Sequence, residues 1–228
     1  MHKTKTVTIL TLDGAAATGK STTAHALADA LNYLHIDTGS HFRILSYHLN
    51  QVSIPSQAST NLSEALKELS LNTKIYGHSA VLEVNRQRLT STELRSLTVN
   101  TLVSQYAALK PIRDFLLNYQ RSLEHFAREA HFEGMVVEGR DIGSVVFPRA
   151  KHKVFLYADE STRIARRQKE GLKDFISERD AIDRTRTLAP LTCPKDALSI
   201  NTTQLSLDEV VDLILKKITD WYDFKANL

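Results

Sequence analysis

The stretch "DGAAATGKST" at residues 13–22 constrains the fold more than any other. It follows an apolar, β-branched run at 7–12, "VTILTL", that reads as a buried strand. It precedes "STTAHALADAL", where Ala24, Leu27, Ala28 and Leu31 recur at helical spacing. Gly14 and Gly19 bracket four small residues, with Lys20 and Ser21 directly after. A strand, such a loop and a helix in succession form a phosphate-binding P-loop. The glycines let backbone N–H groups turn inward, and the helix N-terminus adds partial positive charge. Gly14, Ala15, Ala16, Ala17, Thr18, Gly19, Lys20, Ser21 and Thr22 are therefore the expected ATP contacts. Lys20 would reach the β- and γ-phosphates, and the Ser21 hydroxyl would sit on Mg²⁺. The alternative is a chance match in a Gly/Ala-rich turn, which the strand and helix on either side argue against.

The rest of the chain alternates strands and helices. Strands are expected at 7–12, 34–37, 135–138, 153–158 and 197–200, and helices at 21–31, 41–50, 62–69, 91–108, 111–130, 161–170, 175–186 and 207–218. "KIYGHSAVLEVNRQRL" at 74–89 breaks the pattern with two β-like runs around "GHS", a hairpin signal. This alternation predicts an α/β fold: a parallel five-stranded sheet with helices on both faces, in three layers, carrying a small antiparallel insertion. The length of 228 residues and 42% hydrophobic content suit one domain. No apolar run approaches the roughly 18–20 residues that span a membrane, and no signal peptide is evident. The one cysteine, Cys193, precludes an internal disulfide and suits a reducing cytoplasm; before Pro194 it reads as an ordinary loop residue. A net charge of +3 is a weak argument for nucleic acid and fits equally a protein that gathers arginines around a small anion.

Eight arginines lie between Arg140 and Arg186. Arg163, Arg166 and Arg167 share one expected helix, and Arg179, Arg184 and Arg186 the next. A solvated face would explain any one of them. As a set they suit phosphoryl transfer, where two phosphate groups meet and arginine forks on a mobile lid neutralise them. Arg43, just past "DTGS", points the same way. GTP-binding switches need a late Asn-Lys-x-Asp, which this chain lacks. Glu138, ending "MVVE", is either a carboxylate near Mg²⁺ or a helix cap. "EGRDIG" sets Arg140 beside Asp141 at a strand end, where open α/β sheets bind ligands. Arg140 could hold an acceptor phosphate and Asp141 accept from an exocyclic amine, or the two could form a local pair. The nine histidines have no metal-ligand spacing and read as structural or surface residues.

With these residues in view, the chain resembles the bacterial cytidylate kinases, within the nucleoside monophosphate kinases. The resemblance rests on "TLDGAAATGKST", "IDTGSHFR", "SQYAALKPIRDFLLNYQR", "VVEGRDIGSVVFPRAKHKVFLYA", "RIARR", "ERDAIDRTRTLAPL" and "DALSI", in order along nearly the whole chain. It implies one P-loop kinase domain over 1–228, a monophosphate-binding insertion at about 41–110, and a short lid at about 161–182. It implies transfer of the ATP γ-phosphate to CMP or dCMP with Mg²⁺, by a cytoplasmic monomer that engages neither nucleic acid nor membrane. Ser104, Arg113 and Asp141 would contact cytosine; Arg43, Arg140 and Arg186 the acceptor phosphate; Asp183 and Arg179 the ribose. Asp37, in "IDTGS", would line the substrate site. Lys20, Arg140, Arg163 and Arg167 would serve the transferring phosphoryl group, with Ser21 and Glu138 on the metal side.

Some positions depart from the family pattern. Ala15 stands for a proline and Ala17 for a glycine; a positive φ at Ala17 would cost about 1–3 kcal/mol. Phe42 replaces a tyrosine and Asn201 an aspartate, and the lid is shorter by about three helical turns of chain. The rival readings are another small-molecule P-loop kinase and a non-catalytic nucleotide-binding module.

Overall fold

A computed structural model describes residues 7–169 and 176–226, without the side chains of Arg179 and of residues 221–226. Strand β1 (Thr8–Gly14) enters the P-loop, and α1 (Lys20–Leu31) leaves it. Then come β2 (Tyr33–Asp37), α2 (Thr38–Gln51), α3 (Thr60–Lys67), β3 (Leu71–Tyr76) and β4 (Ser79–Val84). Helices α4 (Ser91–Leu94), α5 (Leu97–Ala107) and α6 (Lys110–Glu129) lead to β5 (Gly134–Gly139) and a π-helical turn, Ile142–Val146. The chain closes with β6 (His152–Tyr157), α7 (Glu160–Lys169), α8 (Ile176–Thr185), β7 (Leu198–Asn201) and α9 (Leu207–Ala226).

The α/β class holds, but the sheet has seven strands rather than five, in the order β3-β4-β2-β5-β1-β6-β7. The expected hairpin is real, and it is not a separate sheet. β4 runs parallel to β2 through His35–Ser79 and Ile36–Ala80, and β3 pairs antiparallel outside it. The physical reason is the edge of β2. Its backbone groups need partners, and the hairpin supplies them, His35 N–H donating to the His78 carbonyl at 2.6 Å. On β4, Ala80, Leu82 and Val84 are buried, while β3 alternates half-buried and exposed residues as an outer strand should. A second correction concerns 91–108, expected as one helix. It breaks at Arg95–Ser96, because the Ser96 side chain accepts from Val99 N–H and caps a new helix.

Apolar side chains fill both sheet faces. Leu10, Leu12, Leu27, Val154 and Ile214 lie on one side; Leu34, Ile36, Val137, Leu123 and Phe147 lie on the other. A third cluster holds α2 to α6 together around Leu45, Leu62, Leu82, Tyr106 and Leu116. Helix α6 serves two of these cores, with Ile112 and Leu116 in the third cluster and Leu123 and Ala127 against the sheet. Its buried residues recur every three or four positions, the stripe an amphipathic helix needs. Among the described residues, no helix is long and apolar enough to cross a membrane.

Candidate active site

The carboxyl ends of β1, β2 and β5 open on one cleft of about 290 Å³. At its floor is the P-loop. Gly14 has φ 152°, and a Cβ there would stand 2.2 Å from the Leu156 carbonyl oxygen of β6, so only glycine fits. Gly19 has φ 91° and Ala17 φ 57°, so alanine does occupy the left-handed conformation. Lys20 is buried, its Nζ donating to the Ala15 carbonyl at 2.6 Å. Burial, and after it the Arg140 guanidinium, lowers its pKa from 10.5 to about 7.

The Ser21 hydroxyl, at the first turn of α1, donates to Glu138 Oε2 at 2.9 Å, and Glu138 Oε1 accepts from His35 Nε2 at 2.9 Å. Although burial opposes ionisation, His35, Lys20 and Ser21 hold the Glu138 carboxyl below its usual range. A hydroxyl and a carboxylate are hard oxygen donors of the kind Mg²⁺ takes, and both line the cleft. No group of three or more His, Cys, Asp or Glu side chains among the described residues could hold a metal. Mg²⁺ characteristically takes one or two protein oxygens and completes its shell with phosphate and water.

Across the cleft, five expected substrate residues form one ionic network. Arg113 and Arg186 both donate to Asp141, the latter at 3.2 Å. Arg186 also meets Asp183 at 3.5 Å, and Arg140 Nε donates to Asp183 at 3.0 Å. Burial raises the Asp141 pKa, opposed by Arg113 and Arg186. Asp37, Arg43, Ser104 and Arg167 line the same cleft, with Arg43 held on the Leu94 carbonyl at 2.9 Å and the Asn100 amide oxygen at 2.7 Å. Arg113 does not line it itself; it donates to two residues that do, Asp141 and, at 3.1 Å, the Ala107 carbonyl. Thr18, Gly19 and Thr22 open on an adjoining recess with Arg166 and Thr202.

Arg163 stands apart from the cleft. It is buried behind the P-loop, paired with Asp180, and donates to the Ala16 carbonyl at 3.2 Å; Ala16 N–H in turn donates to Asp180 at 3.2 Å. Arg166 donates to the Thr202 carbonyl at 2.5 Å, its hydroxyl at 3.1 Å, and the Ala17 carbonyl at 3.4 Å. Both helices of the expected lid are thus tied to the P-loop backbone. Residues 170–175, within the expected lid, lie outside the described residues, and so does the Arg179 side chain.

Sequence reasoning missed several groups. Asp13 is buried and accepts from Ile142 N–H at 2.8 Å and Gly143 N–H at 2.7 Å, anchoring the turn after β5 to the P-loop strand. Burial raises its pKa to about 6, against those two hydrogen bonds. His35 had a signal, a polar residue inside the apolar strand "LHID", which must find a partner when buried. Asp180 and Thr202 act through contacts 164 and 184 residues away, which no local pattern reveals. Arg95 also lines the cleft, beside Phe42, which the sequence marks as standing for a tyrosine.

A family model described as cytidylate kinase matches residues 10–220. A cytidylate kinase of Thermosipho melanesiensis is 36% identical over 222 residues, covering 92% of this chain and 96% of that one. One of Anoxybacillus flavithermus is 36% identical over 217 residues, covering 90% and 93%. One of Fusobacterium nucleatum is 34% identical over 224 residues, covering 92% and 96%.

Proposed function

The chain belongs to the cytidylate kinase family and, as a member, transfers the γ-phosphoryl group of ATP to CMP or dCMP; we propose that the cleft just described performs this transfer with the following division of roles. The observation that carries it is that one cleft is lined by Lys20, Ser21 and Glu138 together with Arg43, Arg140, Asp141 and Arg186. Groups suited to a triphosphate thus share a single space with groups suited to a monophosphate.

In this reading the P-loop N–H groups, from Gly14 to Thr22, and Lys20 hold the β- and γ-phosphates. Arg43, Arg140 and Arg186 hold the acceptor phosphate. Asp141 accepts from the cytosine amine, oriented by Arg113 and with Ser104 beside it, and Asp183 and Arg179 meet the ribose. An acceptor phosphate oxygen attacks the γ-phosphorus, the bond to the β–γ bridging oxygen breaks, and ADP leaves with that oxygen. No general base is required, because the acceptor oxygen is already anionic. Positioning and charge neutralisation do the work. Ser21 and Glu138 would hold Mg²⁺, which would supply neutralisation of the charge on the transferring phosphoryl group. Arg167 lines the cleft and would meet the transferring group directly, while Arg163 would act through the P-loop backbone it supports. Residues 41–110 form the monophosphate-binding unit and 161–182 the lid.

In this reading the enzyme works as a monomer in the cytoplasm, where the exposed thiol of Cys193 would stay reduced. ADP release measured with CMP, dCMP, UMP, AMP, dTMP and gluconate tests the assignment. CMP and dCMP should be turned over fastest. Preference for another acceptor would overturn the base-side roles, and no turnover with any of them would leave a binding module. Sedimentation of the purified chain tests the monomer.

A further inference from the structure

The Glu138 carboxylate is held at both oxygens, and its second partner, His35, belongs to neither the P-loop nor the strand that carries it. His35 and Glu138 are both buried, and their contact of 2.9 Å is matched by the 2.9 Å contact between Glu138 and Ser21. An ionised carboxylate only accepts, so the His35 proton resides on Nε2. The His35 ring is itself fixed. His25 lies against it with centroids 4.0 Å apart at a 50° tilt. His25 is four residues after Ser21 on α1, so the two share a helix face. The His35 backbone N–H is bound to the His78 carbonyl of the hairpin at 2.6 Å. A closed arrangement results: α1 supplies Ser21 and His25, β5 supplies Glu138, and β2 supplies His35. A glutamate has several side-chain torsions to fix, and a carboxylate at the rim of a cleft keeps one orientation only if something restrains it.

We propose that His35 is a positioning residue for the metal-side pair: its N–H fixes Glu138 so that the other carboxylate oxygen faces the Ser21 hydroxyl, where a divalent cation carried by the triphosphate would be received. The inference rests on the metal-side reading of Ser21 and Glu138 given above. Groups that orient a metal ligand without touching the metal are typically worth about 10–100-fold in metal affinity. His35 should therefore act on the Mg²⁺ enhancement of ATP binding and not on recognition of the nucleotide itself.

The test is equilibrium titration of ATP in excess Mg²⁺ and in EDTA, on wild type, His35→Leu, His35→Gln, His35→Asn and Ser21→Ala, with thermal melts to verify folding. The ratio of the two affinities is the readout. His35→Leu should lower it about tenfold or more while leaving metal-free ATP affinity within about twofold. His35→Gln places an amide N–H near the reach of Nε2 and should restore most of the ratio. An unchanged ratio in folded His35→Leu overturns the proposal. A glutamine variant as impaired as the leucine variant also overturns it, since ring packing would then be the cause. If the leucine variant does not fold, glutamine and asparagine decide. Asparagine is one methylene too short to reach Glu138 and should lose what glutamine keeps, and equal ratios overturn the proposal. Ser21→Ala separates the two levels. If it leaves the Mg²⁺ enhancement intact, the metal-side reading itself fails. If it abolishes the enhancement while His35→Leu does not, only the role of His35 fails.

Discussion

Arg140 donates from Nε to the Asp183 carboxylate at 3.0 Å, across the mouth of the acceptor side of the cleft. The same carboxylate accepts from Arg186 at 3.5 Å, so one acid holds two of the arginines assigned to the acceptor phosphate. Pre-aimed charges cost no reorganisation when the phosphate arrives. Asp183→Ala should therefore act twice. Losing this network should raise KM for CMP about tenfold or more, the worth of a charged hydrogen bond, with little change in KM for ATP. Asp183 is 5% exposed, and its removal leaves the Arg186 charge short of a partner in a buried place. Stability should fall by about 3 kcal/mol in urea unfolding. A variant with unaltered KM for CMP would show that Asp183 serves folding alone.

Asp141 governs the choice of base. Its two oxygens accept from Arg113 and Arg186 and keep lone pairs for a cytosine amine. UMP would set a carbonyl oxygen against that carboxylate. Asp141→Asn keeps the shape and can present an N–H instead, so the CMP over UMP ratio in kcat/KM should narrow by about tenfold or more. Competition assays with the two monophosphates measure it, and an unchanged ratio would move base selection elsewhere.

Lys20 couples ATP binding to pH. Burial and Arg140 lower its pKa from 10.5 to about 7, so above that pH the free site holds a largely neutral amine. Triphosphate requires the cation, so binding at pH 8 should take up to about one proton, and ATP affinity should decline as pH rises above about 7. The unfolded chain binds the extra proton between about 7 and 10.5, so this group adds stability as pH climbs through that window. Lys20→Met should abolish the proton uptake, flatten the rise in stability, and lower turnover by orders of magnitude in a folded protein. Calorimetry in buffers of differing ionisation enthalpy reads the uptake directly; a Lys20→Met variant that still takes up the proton would assign it to another group.

Ala17 shows how far the sequence could be read. The P-loop pattern demands a tight turn there, and the strain expected of an alanine appears as φ 57°. The five parallel strands β2, β5, β1, β6 and β7 and the two arginine-bearing helices were legible for the same reason, because their signals are local. The joining of β4 to β2 was not, since a hairpin carries no mark of the edge it will complete. Nor was the division of labour on α7, where neighbouring arginines differ only in what lies opposite them. The retained strain gives a prediction of its own. Ala17→Gly should stabilise the protein by up to about 1 kcal/mol, strain relief outweighing the added unfolded-state entropy. A lowered melting temperature would mean that the loop is not strained at this alanine.

Arg163 and Arg167 sit one turn apart on α7 and face different tasks. Arg163 is 5% exposed, paired with a buried Asp180 and bound to the Ala16 carbonyl, so it braces the P-loop from behind. Arg167 lines the cleft. Arg163→Ala would strand the Asp180 carboxylate and release the loop. Stability should drop by about 3–5 kcal/mol, and ATP affinity should fall with it. Arg167→Ala should cost little stability. Its effect belongs to the closed, loaded state, so kcat for transfer to CMP should fall far more than ATP affinity. The two lid helices both grip the P-loop, α7 through Arg163 and Arg166 and α8 through Asp180, and the lid expected from the sequence is short by about three helical turns of chain. Less cover means poorer exclusion of water. ADP release without any acceptor should therefore exceed that of a cytidylate kinase with a longer lid, and Arg167→Ala should lower this background along with transfer. Unfolding curves, ATP titrations and steady-state ADP release with and without CMP separate the two arginines. Equal losses of stability and turnover in both variants would mean that α7 acts as one structural unit, with no arginine reserved for the reacting phosphate.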